Sequence, residues 1–211
     1  MPRAIVVSNG VISDYSFYNL KDDDFVICAD GGIRHLLKLN RLPDIWIGDF
    51  DSCRFSELIS KHPELEAVAV TKLNPVKDVT DTHYACMLAI ERGYKEIIVW
   101  GACGGRIDHM LSNIHLLQLI NENGANAIIE DEKNTVHLCG GSINIVKKRK
   151  YLSIIPLDNS VIVEKTQGLL YPLENYALMR SVSMGVSNEI VSAQATISIK
   201  SGFALIVESD D

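Results

Sequence analysis

The pattern of hydrophobic segments changes once along this chain, and that change constrains the fold more than any other feature. Up to about Asp131, short apolar runs alternate with helical patterns; beyond it, strand-like runs follow one another without a convincing helix. Strand–helix alternation is typical of a parallel sheet covered on both faces, and successive short strands are typical of an antiparallel sandwich. We therefore predict a doubly wound, mostly parallel α/β domain over residues 1–132 and an antiparallel β-sandwich domain over residues 133–211.

The two later helices of the first part are the most clearly defined. Apolar residues recur in them at helical spacing, and Gly93 and Gly124 follow them where a C-terminal glycine is favoured. The predicted helices are Ile33–Leu39, Phe55–Lys61, Thr80–Arg92 and Asp108–Asn123, and the predicted strands are Ala4–Val7, Val26–Ala29, Ile45–Ile47, Ala67–Val70, Ile97–Trp100 and Ala127–Ile129.

Turn signals such as Gly140-Gly141 and Ser201-Gly202 separate the apolar runs of the second part. This spacing of short runs and turns predicts a small antiparallel sandwich or barrel. The predicted strands are Val136–Leu138, Ile143–Val146, Leu152–Ile155, Val161–Glu164, Glu189–Ser192, Ala195–Ile199 and Ala204–Val207.

Composition excludes several classes of protein. The net charge of −7 argues against nucleic acid as a partner, because phosphate backbones require basic patches. The 5 cysteines are scattered without a C-x-x-C pair, so neither a disulfide framework nor a zinc site is expected. No apolar run approaches the roughly 18–20 residues of a membrane helix, and nothing resembles a targeting signal. We expect a cytoplasmic protein without a membrane association.

Aspartates follow the predicted strands of the first part, where the loops of a doubly wound sheet share one edge. Each such residue alone is also a typical helix cap or turn former, but their recurrence at successive strand ends favours a shared site. Carboxylates crowded at one edge repel one another unless a divalent cation lies among them, and oxygen ligands suit Mg²⁺. The residues concerned are Asp30, Asp49, Asp51, Asp78, Asp81 and Asp108.

Glycine pairs accompany these acids. Gly31-Gly32 and Gly104-Gly105 each lead into a predicted helix, whose free N–H groups favour phosphate. Arg106 follows the second pair and has the geometry to bind phosphate oxygens through two hydrogen bonds. His109 is interpreted as a capping or orienting residue. No G-x-x-x-x-G-K-[ST] loop occurs, so the chain is not a P-loop enzyme.

Taken in order, these residues belong to four motifs that resemble those of the thiamine pyrophosphokinase family. The motifs are Asp30-Gly31-Gly32, Gly48-Asp49-Phe50-Asp51-Ser52, Lys77-Asp78-x-Thr80-Asp81 and Gly104-Gly105-Arg106-x-Asp108-His109. The resemblance covers nearly the whole chain and continues through Thr166-x-Gly168-Leu169-x-Tyr171-Pro172-Leu173 and Gly185-Val186-Ser187-Asn188-Glu189. It implies an ATP-dependent diphosphotransferase that forms thiamine diphosphate and AMP. It also implies a homodimer, with each active site between the α/β domain of one subunit and the sandwich of the other.

The resemblance assigns roles residue by residue. It places Mg²⁺ on Asp49, Asp51 and Asp81, and gives Asp78 and Arg106 catalytic roles beside them. Many members have Trp where Tyr171 stands, and a half-buried sandwich residue is the alternative reading for Tyr171. The implied nucleotide and diphosphate site comprises Asp30, Gly31, Gly32, Lys77, Asp78, Thr80, Gly104, Gly105, Arg106, Asp108 and His109, and the implied thiamine site comprises Tyr171, Ser187 and Asn188.

The sequence alone is also compatible with other functions. A hydroxymethylpterin pyrophosphokinase is similar around the acidic motifs, and a non-catalytic thiamine or nucleotide sensor would use the same pockets. A magnesium phosphohydrolase would use the same acidic edge. In the pyrophosphokinase reading, the transfer depends on alignment and charge neutralisation more than on covalent chemistry. Asp78 is one candidate to accept the hydroxyl proton, and the sequence does not single out one carboxylate for that role.

Overall fold

The computed structural model describes residues 2–50, 54–74 and 78–211, and the chain divides into two units, Met1–Glu132 and Lys133–Asp211. Each unit has its own β-structure and its own cluster of buried apolar side chains. Across the described ranges, every helix is too short or too polar to cross a membrane.

The first unit is built on strands that are each parallel to their neighbours. They are β1 (Ala4–Val7), β2 (Phe25–Ala29), β3 (Ile45–Gly48), β4 (Ala69–Lys72), β5 (Glu96–Trp100) and β6 (Asn126–Glu130), in the order β4-β3-β2-β1-β5-β6. The chain runs outward from β1 to β4 and then returns to β5 beside β1, so the strand order reverses between β1 and β5. Ligands of open α/β sheets bind at such a reversal, outside the carboxyl ends of the strands.

Helices cover this sheet. Every residue of β1 is buried, as expected for a parallel strand with both faces covered. Within the described chain, α1 packs on β1 and β2, and α3 packs on β1, β2 and β3. The doubly wound α/β prediction is therefore confirmed. The helices are α1 (Ile33–Lys38), α2 (Arg54–Lys61), α3 (Asp81–Glu91) and α4 (Ile107–Glu122).

Strand β4 departs most from its predicted position in this unit. The prediction began it at Ala67, but Pro63–Ala67 forms a 3₁₀ turn and the strand starts at Ala69. Pro63 opens that turn, where its fixed φ is favourable. Because β4 is an edge strand with mostly exposed side chains, burial does not mark its ends in the sequence.

The second unit packs two antiparallel groups of strands face to face. The strands are β7 (Asn134–Cys139), β8 (Ser142–Val146), β9 (Tyr151–Pro156), β10 (Ser160–Gln167), β11 (Glu174–Met179), β12 (Gln194–Ser201) and β13 (Ala204–Ser209). One group has the order β7-β13-β9 and the other the order β11-β10-β12-β8. Ile154 and Ile206 from the first group share a core with Val163 and Ile197 from the second. The predicted β-sandwich is confirmed.

Two strand assignments in this unit were wrong. Glu189–Ser192 is not a strand, and only Ile190 forms an isolated bridge, to Leu169. Conversely, β11 was not predicted. Leu178 is the one buried residue of that edge strand, so its sequence lacks the alternation that reveals a half-buried strand.

A buried ion pair joins the beginnings of β1 and β2. Arg3 donates from Nε and Nη2 to the two carboxylate oxygens of Asp24, at 2.7 and 2.9 Å, and the Lys21 N–H donates to the same carboxylate at 2.7 Å. Burial alone would raise the pKa of Asp24, but the hydrogen bonds from Arg3 and Lys21 lower it overall. A carboxyl with a depressed pKa stabilises the fold above its unfolded pKa of about 3.9, and that contribution is lost as the pH falls through the folded value.

We expect Asp24→Asn to lower the free energy of unfolding by about 2 kcal/mol at pH 7, because Arg3 then lacks its anionic partner. Urea unfolding at pH 7 and at pH 3 measures this. The variant should lose less stability than the wild type between the two pH values. An equal loss in both proteins would show that the pair contributes nothing to acid sensitivity.

Candidate active site

A cleft of about 520 Å³ lies at the carboxyl ends of β1 and β5, where the strand order reverses. The loops after β1, β2 and β5 and the beginning of α3 and α4 contribute to it. Its lining consists of Ser8, Asn9, Gly10, Val11, Ala29, Asp30, Arg34, Thr80, Asp81, Thr82, Gly101, Ala102, Gly104, Gly105, Arg106, His109 and Asn113.

Backbone hydrogen bonds hold the loop after β1 against the loop after β5. The Ser8 N–H donates to the Trp100 carbonyl at 2.8 Å, and the Gly10 N–H donates to the Gly101 carbonyl at 2.7 Å. A Cβ atom on Gly10 would lie 2.3 Å from the Gly101 oxygen, so only glycine fits there. The two loops therefore form one hydrogen-bonded floor of the cleft.

The first turn of α3 lies at the same cleft. Thr80 is the N-cap, and its hydroxyl accepts a hydrogen bond from the His83 N–H at 3.2 Å. Asp81 is the first helical residue, and the Thr82 hydroxyl lies 2.9 Å from the Ser8 hydroxyl. The positive end of the helix dipole makes such a terminus favourable for an anion. Asp81 thus adds a carboxylate beside a region of positive potential.

Asp30 holds an unusual backbone conformation at the end of β2. Its φ is 46°, in the left-handed region that non-glycine residues seldom occupy. The Trp46 indole N–H donates to the Asp30 carbonyl at 2.9 Å. This bond from β3 holds the strained turn, which brings the Asp30 carboxylate to the lining of the cleft.

Arg106 and Asp108 form an exposed ion pair where α4 begins. Arg106 donates to both oxygens of Asp108, with an Nε–Oδ1 distance of 3.1 Å. The hydrogen bond from Arg106 is the main reason why the pKa of Asp108 falls to about 2, and the His109 N–H lowers it further. Arg106 lines the cleft and Asp108 does not. The pair therefore orients the guanidinium at the entrance of the site.

The structure brings together only part of the predicted nucleotide site. Asp49 directly follows β3 but is not in the lining of the cleft. The end of β3 lies close to Asp30, since a Cβ on Gly48 would be 3.5 Å from the Asp30 Cα. Asp78 is exposed and also lies outside the lining. Asp51 and Lys77 lie outside the described residues. Those that line the cleft are Asp30, Thr80, Asp81, Gly104, Gly105, Arg106 and His109.

Gly31 and Gly32 lie beside the cleft rather than in its lining. A Cβ on Gly32 would lie 2.2 Å from the Val7 carbonyl oxygen, and one on Gly31 would meet the Asn9 side chain at 2.6 Å. The structure thus supplies a packing reason for both glycines, which is the close approach of the turn before α1 to the end of β1.

Several lining residues were missed by the sequence analysis. The loop after β1 was not singled out because it carries no charged side chain, although Ser8-Asn9-Gly10 follows a buried strand as Asp30 does. Arg34 and Asn113 lie inside helices, where residue type alone does not reveal which face they occupy. Asn113 is buried, and its side chain donates to the Ala102 carbonyl at 3.0 Å.

The Asp30 and Asp81 carboxylates form the acidic rim of the cleft, and they fit a magnesium ion shared with a substrate. Asp30 and Asp81 both line the cleft. Mg²⁺ typically takes one or two carboxylates and completes its shell with water and substrate phosphates. In the part of the chain that the structure describes, no three His, Cys, Asp or Glu side chains are arranged to enclose a metal ion.

In the second unit, the predicted thiamine residues lie next to one another. Asn188 is buried, accepts from the Tyr171 N–H at 3.0 Å and donates to the Tyr171 carbonyl at 2.7 Å. The Ser187 N–H donates to the Ser153 hydroxyl at 3.0 Å, and Ser187 has a φ of 60°. Tyr171 itself is 64% exposed. The amide of Asn188 thus holds the backbone that presents an exposed aromatic ring.

Comparison with known proteins identifies a family. Residues 18–129 match the family model described as "Thiamin pyrophosphokinase, catalytic domain", and residues 142–204 match "Thiamin pyrophosphokinase, vitamin B1 binding domain". A thiamine pyrophosphokinase of Bacillus subtilis (strain 168) is 30% identical over 188 residues, which cover 88% of this chain and 87% of the relative. A thiamin pyrophosphokinase of Caenorhabditis elegans is 27% identical over 88% of this chain and 79% of its own length.

Solved structures agree with these matches. A crystal structure of thiamin pyrophosphokinase from Geobacillus thermodenitrificans is similar with a TM-score of 0.87 and 28% identity, covering 100% of this chain and 98% of that one. The thiamine pyrophosphokinase structure from Bacillus subtilis has a TM-score of 0.86 and 27% identity, with 99% of both chains covered. The resemblance first seen in the motifs is confirmed over both units. This chain belongs to the thiamine pyrophosphokinase family.

Proposed function

We propose that this chain is a magnesium-dependent thiamine pyrophosphokinase that transfers a diphosphate group from ATP to the hydroxyl of thiamine. The products are thiamine diphosphate and AMP. One observation carries the proposal: models of a thiamin pyrophosphokinase catalytic domain and of a vitamin B1 binding domain match this single chain in succession. The cleft at the strand reversal supports it, because the catalytic-domain match spans much of that cleft.

The lining of the cleft suits a polyphosphate chain. The N-terminus of α3 offers the positive end of its helix dipole, and Arg106 at the beginning of α4 offers a guanidinium. Gly104 and Gly105 have φ values of 78°, and a Cβ on Gly105 would meet nothing within 4 Å, so the loop leaves open space before α4. These groups bind and orient the phosphates of ATP in the proposed complex.

In the proposed reaction, the thiamine oxygen forms a bond to the β-phosphorus of ATP. The bond from that phosphorus to the oxygen bridging the α- and β-phosphates breaks, and AMP leaves with this oxygen. The hydroxyl proton is lost to a carboxylate of the rim. Such a transfer needs alignment and stabilisation of the developing charge, which Arg106 and the α3 N-terminus supply.

We assign the magnesium ligands to Asp49, Asp51 and Asp81. An ion held there would supply positive charge that offsets the charge of the phosphates. Asp81 already lines the cleft, and Asp49 directly follows β3 at the same edge of the sheet. Asp81 would keep its carboxylate at the lining of the cleft, so that ATP and the metal bind together.

Thiamine carries a cationic thiazolium ring, and the chain offers groups that attract it. The net charge of −7 favours a cationic substrate over an anionic one. Tyr171 presents an exposed aromatic face within the residues matched by the vitamin B1 binding model. Aromatic faces attract cations through their quadrupole. We assign Tyr171 and Ser187 to direct thiamine contacts and Asn188 to holding Tyr171.

We expect Tyr171→Ala to raise KM for thiamine about tenfold, because cation–π contacts contribute about 1 kcal/mol or more when partly desolvated. KM for ATP should stay within about twofold, as expected for a group that contacts only one substrate. Steady-state kinetics with each substrate varied in turn measure both. Tyr171→Phe keeps the ring and should behave like the wild type, and Tyr176→Ala, at another exposed tyrosine, is the control. Equal effects of the Ala and Phe variants would contradict a role for the ring.

We also propose a cytoplasmic homodimer with active sites at the subunit interface. Exposed apolar side chains of the second unit support an association surface, because a monomer seldom leaves many such groups in water. They include Leu170, Tyr171, Met179, Val182, Met184 and Val186.

A substrate panel tests the proposal. The protein is incubated with ATP and Mg²⁺ and with thiamine, a hydroxymethylpterin or no acceptor, and the products are identified by mass spectrometry. Thiamine diphosphate and AMP from thiamine alone are expected. Transfer to the pterin would identify the other pyrophosphokinase activity, and phosphate release without an acceptor would identify a phosphohydrolase.

A further inference from the structure

A buried histidine outside the cleft holds the loop that forms its floor. His35 lies on α1 and is only 3% exposed. Its Nε2 atom is 2.9 Å from the Gly10 carbonyl oxygen, and its Nδ1 atom is 2.7 Å from the Tyr15 hydroxyl. Gly10 lines the cleft, whereas His35 and Tyr15 do not. Both ring nitrogens are thus used for contacts behind the cleft.

These two contacts determine the tautomer of His35. A carbonyl oxygen only accepts hydrogen bonds, so the proton of the neutral ring is on Nε2 and is donated to Gly10. Nδ1 is then an acceptor and receives the Tyr15 hydroxyl hydrogen. Arg34 Nε lies 3.4 Å from the same Nε2 atom, and this distance is a packing contact because a protonated nitrogen cannot accept. The Gly10 carbonyl therefore selects the Nε2–H tautomer, and the Tyr15 hydroxyl supports it by donating to Nδ1.

We propose that His35 is a positioning residue for the nucleotide: its Nε2–H donates to the Gly10 carbonyl and fixes that carbonyl away from the bound phosphates, while the Tyr15 hydroxyl holds Nδ1. The inference rests on the proposed function, since it takes the cleft to be the ATP site. His35 acts through the loop and does not contact the substrate.

The physical reason lies in the charge of the loop. Gly10 is held on both sides, because its N–H donates to Gly101 while its carbonyl accepts from His35 and, at 3.1 Å, from Arg34 Nη2. The Asn9 carbonyl accepts from the same Arg34 nitrogen at 2.7 Å. Carbonyl oxygens free to turn into the cleft would repel phosphate oxygens. Hydrogen bonds from His35 and Arg34 hold these carbonyl oxygens, and the floor of the cleft therefore stays favourable for an anion.

The surroundings of His35 keep its ring neutral. Burial lowers the pKa of His35, the hydrogen bond to Gly10 opposes that effect, and the nearby charges of Arg34 and Lys38 lower it further. Tyr15 is the other titratable side chain that faces the ring. A neutral donor suits this role, since it binds a carbonyl without adding a buried charge.

Variants of the pair test the inference. His35→Leu removes the donor and should weaken ATP binding about tenfold, the effect of one buried hydrogen bond, with KM for thiamine unchanged within about twofold. His35→Gln places an amide N–H near the position of Nε2 and should recover most of that loss. Tyr15→Phe removes the hydroxyl that holds Nδ1 of the His35 ring and should give a smaller loss of the same kind. His115→Leu changes an exposed histidine of α4 and is the control.

Three readouts separate positioning from general stability. They are the melting temperature, the ATP affinity by calorimetry with Mg²⁺, and amide hydrogen exchange of residues 8–11. The inference requires faster exchange at these residues and weaker ATP binding in His35→Leu, with core strands still protected. It is overturned if ATP affinity is unchanged, or if Gln and Leu variants behave alike.

Calorimetry measures ATP affinity without turnover, so the test of His35 does not depend on the proposed reaction. A wild-type protein that binds ATP without forming thiamine diphosphate would contradict the proposed function and still allow His35 to be tested by affinity. Normal turnover with an unaltered ATP affinity in His35→Leu would contradict the inference alone. If His35→Leu does not fold, Tyr15→Phe decides the outcome by the same measurements.

Discussion

Asp81→Asn is expected to reduce turnover by at least about a hundredfold, because it removes a carboxylate from the rim that we assign to metal and phosphate binding. Asp81 is the first residue of α3 and lines the cleft. The amide is nearly isosteric with the carboxylate, so the packing around it should not change. The free energy of unfolding should stay within about 1 kcal/mol, the size of a charge–helix-dipole interaction.

The rate of AMP formation and urea unfolding together measure this prediction. Asp22→Asn, which neutralises an exposed aspartate in the turn before β2, is the matched control and should keep wild-type activity. If Asp81→Asn retained more than about half of the wild-type rate, the role of this carboxylate in charge stabilisation would be refuted.

Gly32→Ala is expected to destabilise the fold by at least about 3 kcal/mol, because the added methyl group overlaps main-chain atoms rather than a movable side chain. The new Cβ would lie 2.2 Å from the Val7 carbonyl oxygen and 2.9 Å from its carbon. Relief requires that the turn before α1 move away from β1. That movement would also displace Asp30, two residues earlier, and so reduce activity.

Chemical unfolding of the variant measures the loss. Gly141→Ala is the control, because a Cβ at Gly141 would meet nothing within 4 Å and its φ is not in the left-handed region. A Gly32→Ala protein as stable as the wild type would mean that β1 and this turn are farther apart than the structure places them.

Periodicity and burial predicted most of the fold. The strands of the first unit read as continuous apolar runs because helices cover both faces of the sheet, and this explains the accurate prediction of β1. Where burial is weak, the prediction failed. The edge strand β11 has one buried residue, and the predicted strand Glu189–Ser192 forms only one bridge. Edge pairing depends on a neighbouring strand, which local sequence does not reveal.

The sequence predicted most of the residues in the candidate cleft that carry a charged side chain. Asp30, Asp81 and Arg106 all line the cleft, and each lies at the end or the beginning of an element that the patterns predicted. The neutral loop after β1 and the contribution of Arg34 depend on which helix face meets which loop. Only tertiary packing determines that face. The buried contact between His35 and Gly10 was missed for the same reason.

Phosphorus NMR of the protein with ATP, Mg²⁺ and thiamine, repeated with excess chelator, identifies the group that is transferred and shows whether the transfer needs the metal. We expect AMP and thiamine diphosphate in equal amounts, with both terminal phosphates of ATP transferred together, and no product when the metal is removed. Formation of ADP with thiamine monophosphate, or of free phosphate without a thiamine ester, would contradict the proposed function.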